Sequence, residues 1–217
     1  MNLAFVYDCV YPYTKGGVEK RIFEIARRLK RSHRVQIFSM RFWKGEKQKG
    51  NSDIIYHGVC SSLKLYDTLG RRRIYPTILF SLRLLFPLLK ENPDIIDCQN
   101  IPYLPILTCK LFSLIRRKPL IITWHEVWGD YWKTYLGWMG YLGKLIERIT
   151  SRLSDHNIAN SHHTLERFKA ISPKPITLIP PGVDLERIRK TRPSRERFDI
   201  LFVGRLIPEK NVEALLR

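Results

Sequence analysis

A chain of 217 residues is long enough to bury one sizeable α/β core with a little to spare, and its 44% hydrophobic content excludes a disordered chain. The 38 lysines and arginines against 20 acidic residues leave a formal charge of +18, which predicts attraction to phosphates, anionic lipid surfaces or nucleic acid without choosing among them. The four cysteines, Cys9, Cys60, Cys98 and Cys109, show neither C-x-x-C nor His/Cys ligand spacing, so reduced thiols in a cytoplasmic protein are expected rather than a zinc site or a disulfide framework.

The first apolar run, Leu3–Tyr7, is short and lacks a basic flank, which predicts a strand and not an export signal. The loop that follows ends in Gly16-Gly17 and leads into a helix from Val18 to Leu29, with Val18, Ile22, Ile25, Ala26 and Leu29 on one face and the arginines largely elsewhere. Strands are predicted next at Arg34–Ser39 and Ile54–Val59. The segment Ile78–Leu89 is too short to span a bilayer and contains Arg83 and Pro87, so a buried or interfacial helix is expected. Further strands fall at Asp94–Cys98 and Leu120–Trp124, a helix at Tyr135–Leu153, a strand at His156–Ala159, a helix at Thr164–Ala170 and a strand at Ile176–Ile179. The charged stretch 183–197 reads as a linker. A fresh strand at Ile200–Val203 then opens a βα unit that cannot bury its own faces, so the expectation is a first domain over 1–182 and the start of a truncated second domain over 198–217. Short apolar runs alternating with amphipathic helices predict an α/β fold with a Rossmann-like, mostly parallel sheet and helices on both faces.

Several residues stand where such a fold does chemistry. Gly16 and Gly17 at a helix start let backbone approach a ligand, and free N–H groups there favour a diphosphate, although paired glycines also mark plain turns. His125-Glu126 follows an apolar strand, at the end of the sheet where open α/β sheets bind ligands, and a histidine there can donate to a substrate hydroxyl or carbonyl or simply cap the strand. Ser161, after Asn160, offers a hydroxyl at the same rim or N-caps the next helix. Arg205 and Lys210 lie on one strand-to-helix loop, able to aim two cations at one phosphate or to stay solvated.

In order along the chain, Gly16-Gly17-Val18-Glu19, His125-Glu126, Asn160-Ser161, Ile179-Pro180-Pro181-Gly182-Val183-Asp184 and Val203-Gly204-Arg205-Leu206-Ile207-Pro208-Glu209-Lys210-Asn211 resemble the motif series of retaining GT-B glycosyltransferases of family 4, in the glycogen synthase/mannosyltransferase superfamily. The resemblance implies a GT-B N-terminal, acceptor-side domain and transfer of a sugar, with retention of configuration, from a nucleotide-sugar donor such as a UDP- or GDP-sugar to an acceptor hydroxyl. No metal or other cofactor is implied. Carried over by position, Gly16 and Gly17 contact the donor phosphates or sugar, His125 supports the reacting centre, and Arg205 with Lys210 neutralises the leaving diphosphate. Glu19, Glu126 and Ser161 are supporting positions. Because the family's donor-binding half has little counterpart before Arg217, the chain by itself is expected to be a poor catalyst that binds the donor weakly.

The basic charge beside the aromatic stretch containing Trp124, Trp128, Trp132 and Trp138 suggests a lipid-linked acceptor and a peripheral position at an anionic membrane surface, unless these rings are core. A homodimer or a separate partner that supplies the missing half is also open. A basic module that binds nucleic acid or membrane without enzyme activity is the alternative. No zinc-finger spacing or RNP-like aromatic motif supports the nucleic-acid version, so no nucleic acid is expected as a partner.

Overall fold

The computed structural model describes residues 1–50, 54–68, 71–192, 196–204, 206 and 210–216. Its strands are β1 Asn2–Val6, β2 Arg34–Arg41, β3 Gln48–Gly50, β4 Ile54–Ser61, β5 Ile95–Gln99, β6 Leu120–Trp124, β7 His156–Ala159 and β8 Ile176–Leu178. They form one sheet in the order β3-β4-β2-β1-β5-β6-β7-β8, in which the neighbours from β4 to β8 pair parallel and only β3 runs antiparallel, on the outer edge beside β4. The fold is therefore α/β and Rossmann-like. Strand β2 is buried at six successive positions, the mark of a strand covered on both faces.

The helices are α1 Gly17–Leu29, α2 Ile74–Glu91, α3 Leu104–Arg116, α4 Tyr131–Leu136, α5 Gly140–Thr150, α6 His162–Lys169, α7 Leu185–Lys190 and α8 Glu213–Leu216. The chain steps one way across the sheet from β1 to β2 and the other way from β4 through β5, β6 and β7 to β8. Right-handed crossovers then put α1 on one face and α2, α3, α5 and α6 on the opposite one. Ile22 and Ala26 of α1 are buried, as are Phe80, Leu84 and Leu88 of α2 and Phe112 of α3. Each buried aromatic or leucine contributes about 1.5–3 kcal/mol of transfer free energy. The four cysteines are all buried and unbridged.

Two expectations need correction. The helix expected over Tyr135–Leu153 is broken, because Gly137 adopts φ 60° and ψ −133°, ends α4 and passes through a 3-10 turn at Gly137–Met139 into α5. A Cβ at Gly140 would strike the Trp132 backbone, and one at Gly143 the Trp132 ring, so these glycines let α5 fold back against α4. Ile200–Val203 forms no strand, since it finds no ladder partner among the described residues and Ile200, Leu201 and Val203 stay exposed. Ile78–Leu89 is a helix, as expected, and is buried on one side only. Strand β3 and helix α3 have no counterpart among the sequence-based expectations.

By contacts the chain divides into one unit of residues 1–65 and 73–181 and another of 66–72 and 182–217. The first holds the whole sheet. In the second, α7 occupies part of the stretch read as a linker and is N-capped by Asp184, whose carboxylate accepts the Arg187 N–H at 3.0 Å.

Candidate functional site

Parallel strands end on one edge of the sheet, so the loops after β1, β5, β6 and β7 share a rim in the first unit. After β1, Gly16 stands in extended conformation as the cap of α1 and gives it no side-chain cap. The first helical hydrogen bond runs from the Lys20 N–H to the Gly16 carbonyl at 3.3 Å, which leaves the earlier N–H groups for a ligand or water. The two glycines are not equivalent. A Cβ on Gly16 would stand 3.0 Å from Cδ of Glu19 and closer still to its Oε2, whereas one on Gly17 would meet nothing within 4 Å. Gly16 is thus small to accommodate Glu19, which is buried with its carboxylate against the glycine. Gly17 is open.

After β6, His125 is held from three sides. Its N–H donates to Asn100 Oδ1 at 2.9 Å, the Asn100 amide donates to the Glu126 carbonyl at 2.8 Å, and the Thr164 hydroxyl lies 3.1 Å from the His125 carbonyl. The ring nitrogen Nε2 lies 2.8 Å from Gln99 Oε1, while the Gln99 amide and the Thr123 hydroxyl donate to Asp97 Oδ1 at 3.1 and 2.7 Å. With its amide nitrogen committed to Asp97, Gln99 presents its oxygen to the histidine, so His125 carries its proton on Nε2 and keeps the Nδ1 lone pair. The imidazole is neutral at pH 7, because burial, aided by the Arg21 charge, pulls its pKa from 6.5 down to about 4. The ring's one N–H is therefore spent within the protein. The N–H that the sequence reading offered to a substrate is thus engaged by Gln99, and Nδ1 is the ring nitrogen that keeps a lone pair.

Arg21 of α1 acts on both His125 and Asp97 through its charge. Its Nη1 is buried and, among the described residues, has no hydrogen-bond partner. Burial pushes the Asp97 carboxyl above its ordinary range against the pull of Thr123, Arg21 and Gln99. Glu126 is exposed. Ser161 acts as the N-cap of α6, accepting the Thr164 N–H at 3.2 Å, and reaches the His125 backbone only through Thr164. Lys210 is exposed in the second unit, and Arg205 lies outside the described residues. Among the described residues no group of three or more His, Cys, Asp or Glu side chains is placed to hold a metal ion.

The sequence reading missed Arg21, Gln99 and Asn100. Arg21 reads there as one of several surface arginines. Gln99-Asn100, at the end of β5, occupies the same strand-end position that singled out His125, and that position was the available signal.

The loop after His125 is anchored from below. Glu147 of α5, fully buried, accepts the Tyr103 hydroxyl at 2.7 Å and the Trp128 and Gly129 N–H groups at 2.8 Å each. Of the aromatics expected at a membrane, Trp124 is fully buried in β6 against Phe168, and Trp128 and Trp132 pack together with Tyr135. Trp138 alone of the four is exposed, at 83%.

Comparison with solved structures finds the same fold. Sucrose-phosphate synthase from Thermosynechococcus elongatus superposes with a TM-score of 0.65 at 13% identity over 85% of this chain and 49% of that one. Anabaena HepE in complex with UDP gives 0.53 at 14% identity over 86% and 45%, and the same protein in complex with UDP-glucose gives 0.51 at 15% over 86% and 45%. The chain thus spans about half the length of these structures. No curated protein matches it. A sequence profile described as Glycosyltransferase Family 4 covers residues 15–187, from the paired glycines through the whole rim to α7, and the chain belongs to that family.

Proposed function

We propose that the chain is the acceptor-side part of an enzyme that transfers a sugar from a nucleotide-sugar donor, such as a UDP- or GDP-sugar, to an acceptor hydroxyl with retention of configuration. Membership of Glycosyltransferase Family 4 supports sugar transfer in general. The observation that carries the finer reading is the pairing of an open Gly17 at a helix start with a neutral His125 whose free nitrogen can take a hydrogen bond from a sugar hydroxyl. The N–H groups of α1 would meet the donor phosphate, and Arg21 would add positive charge beside the histidine. Arg205 and Lys210 would neutralise the leaving diphosphate, without a metal ion, as the family resemblance implies. Glu19, Glu126 and Ser161 would act at one remove, by shaping the glycine loop and the rim. The domains of this reading are an acceptor-side domain over 1–182, a linker over 183–197 and the start of a donor-binding domain over 198–217. The acceptor would be presented at a membrane surface.

The test is titration calorimetry of the chain with UDP-glucose, GDP-mannose and inorganic diphosphate. Saturable binding of one sugar nucleotide that weakens at least about tenfold in Gly17→Leu is expected, because a side chain there would fill the approach to the α1 N–H groups. Binding that is absent for both nucleotides, or equal in wild type and Gly17→Leu, would overturn the reading.

A further inference from the structure

The clearest surface that sugar transfer does not use is the outer side of α2 and α3. These helices lie side by side and parallel, with the Thr108 hydroxyl donating to the Ser81 carbonyl at 2.9 Å and Arg116 to the Leu89 carbonyl at 3.3 Å. Each has two apolar sides. On α2 the side away from Phe80, Leu84 and Leu88 exposes Ile78, Leu82 and Phe86 at four-residue spacing, with Leu82 at 76% and Phe86 at 75%. On α3 the side away from Ile106, Cys109 and Phe112 exposes Leu107, Leu111 and Leu114. Isolated exposed leucines are ordinary, but stripes on two adjacent helices form a patch that marks an interaction surface.

The charges say what covers it. No aspartate or glutamate occurs from residue 68 to 90 or from 98 to 125, whereas Arg83, Lys90, Lys110 and Arg117 lie in those stretches. None of these four cations forms an ion pair among the described residues. A second copy of this face would bring arginine against arginine with no carboxylate between them. An anionic bilayer surface supplies both missing partners, acyl chains for the leucines and phosphates for the cations. Among the described residues no helix is long and apolar enough to cross a membrane, so the contact would lie in the plane of the interface.

We propose that the α2–α3 face docks on an anionic membrane surface, with Leu82 and Phe86 inserted among the lipids and Arg83, Lys90, Lys110 and Arg117 at the headgroups. This places the membrane contact on a different surface from the tryptophan-rich stretch. It rests on the reading of a membrane-presented acceptor for its purpose, but its test involves no sugar, so either can fail alone.

The experiment is co-sedimentation of the full chain with phosphatidylcholine vesicles and with vesicles containing about 30 mol% phosphatidylglycerol. The variants are Leu82→Ser/Phe86→Ser, Arg83→Gln/Lys110→Gln and, as a control on the other exposed aromatic, Trp138→Ser. All except half-buried Lys110 change exposed residues, and far-ultraviolet circular dichroism checks that each variant folds. The expected result is binding to the anionic vesicles alone, reduced about tenfold or more in either double variant and unchanged in Trp138→Ser. Equal or negligible binding to both vesicle types would overturn the proposal. Loss of binding in Trp138→Ser with both double variants intact would do the same. So would self-association without lipid that the Leu82→Ser/Phe86→Ser variant abolishes, because the face would then be a contact between copies of the chain.

Discussion

Replacing Glu147 by alanine tests how the loop beyond His125 is held. The carboxylate is sealed from solvent and accepts three hydrogen bonds, from the Tyr103 hydroxyl and the Trp128 and Gly129 N–H groups. Removing it orphans three donors, each worth about 1–3 kcal/mol when fully buried. Tyr103 is buried and bears the full penalty, while Trp128 and Gly129 are half-buried and recover part of theirs from water. Relief of the buried charge offsets some of this. The expected loss is about 3–5 kcal/mol, a large fraction of the roughly 5–15 kcal/mol of a typical domain. In thermal unfolding it corresponds to a fall of about 6–20 °C at about 2–4 °C per kcal/mol for a chain of this size. Tyr103→Phe removes one donor and should cost about 1 kcal/mol, and the two changes together should cost less than their sum, since they share a bond. Urea unfolding followed by circular dichroism gives the free energies. If Glu147→Ala stays within about 0.5 kcal/mol of wild type, a range typical of surface substitutions, the hydrogen bonds do not hold this loop and the reasoning fails.

Acid should destabilise the fold between pH 6.5 and about 4, because burial lowers the folded pKa of both His57 and His125 from 6.5 to about 4. Over that range the unfolded chain takes up protons that the folded chain refuses, so stability rises with pH and levels off above 6.5, each histidine adding at most about 1.4 kcal/mol per pH unit. His57→Gln should flatten the slope, and a urea midpoint independent of pH across the interval would contradict the assignment. Gly16→Ala should displace the Glu19 carboxylate, with the stability lost largely regained in Gly16→Ala/Glu19→Ala. Gly17→Ala should leave stability unchanged, so that any loss of nucleotide-sugar affinity in it reports on the ligand alone. Equal unfolding costs for the two single variants would refute the distinction. In Gln99→Leu the His125 ring should lose its preference for the Nε2 proton, visible in its side-chain nitrogen-15 shifts, whereas Gln99→Glu should keep that tautomer and raise the ring's pKa. Unchanged shifts in Gln99→Leu would show that Gln99 does not set the tautomer.

Much of the architecture was legible in the chain because parallel strands buried on both faces must be continuously apolar. Leu120–Trp124 emerged with the limits that the fold gives it. The same logic placed the ends of these strands on one rim and singled out His125. It failed where contrast was missing. Helix α3 is apolar on its buried and its outer side, so no periodicity marks it, and Gln48–Gly50 is polar and becomes a strand only because β4 offers an edge. Ile200–Val203 shows the reverse case, an apolar run that finds no strand partner among the described residues. The break at Gly137 depended on a backbone angle that composition does not reveal.

By itself the sequence determined the order of the seven parallel strands, the strong positive charge and the paired glycines at the start of α1, since each follows from local spacing and residue type. Only the tertiary structure decided that Gly16 makes room for Glu19, that Gln99 and Asp97 fix the His125 proton, and that Glu147 ties down the loop beyond it. Those roles join residues up to 44 positions apart through single hydrogen bonds, and the worth of such a bond depends on burial that exists only once the chain has folded.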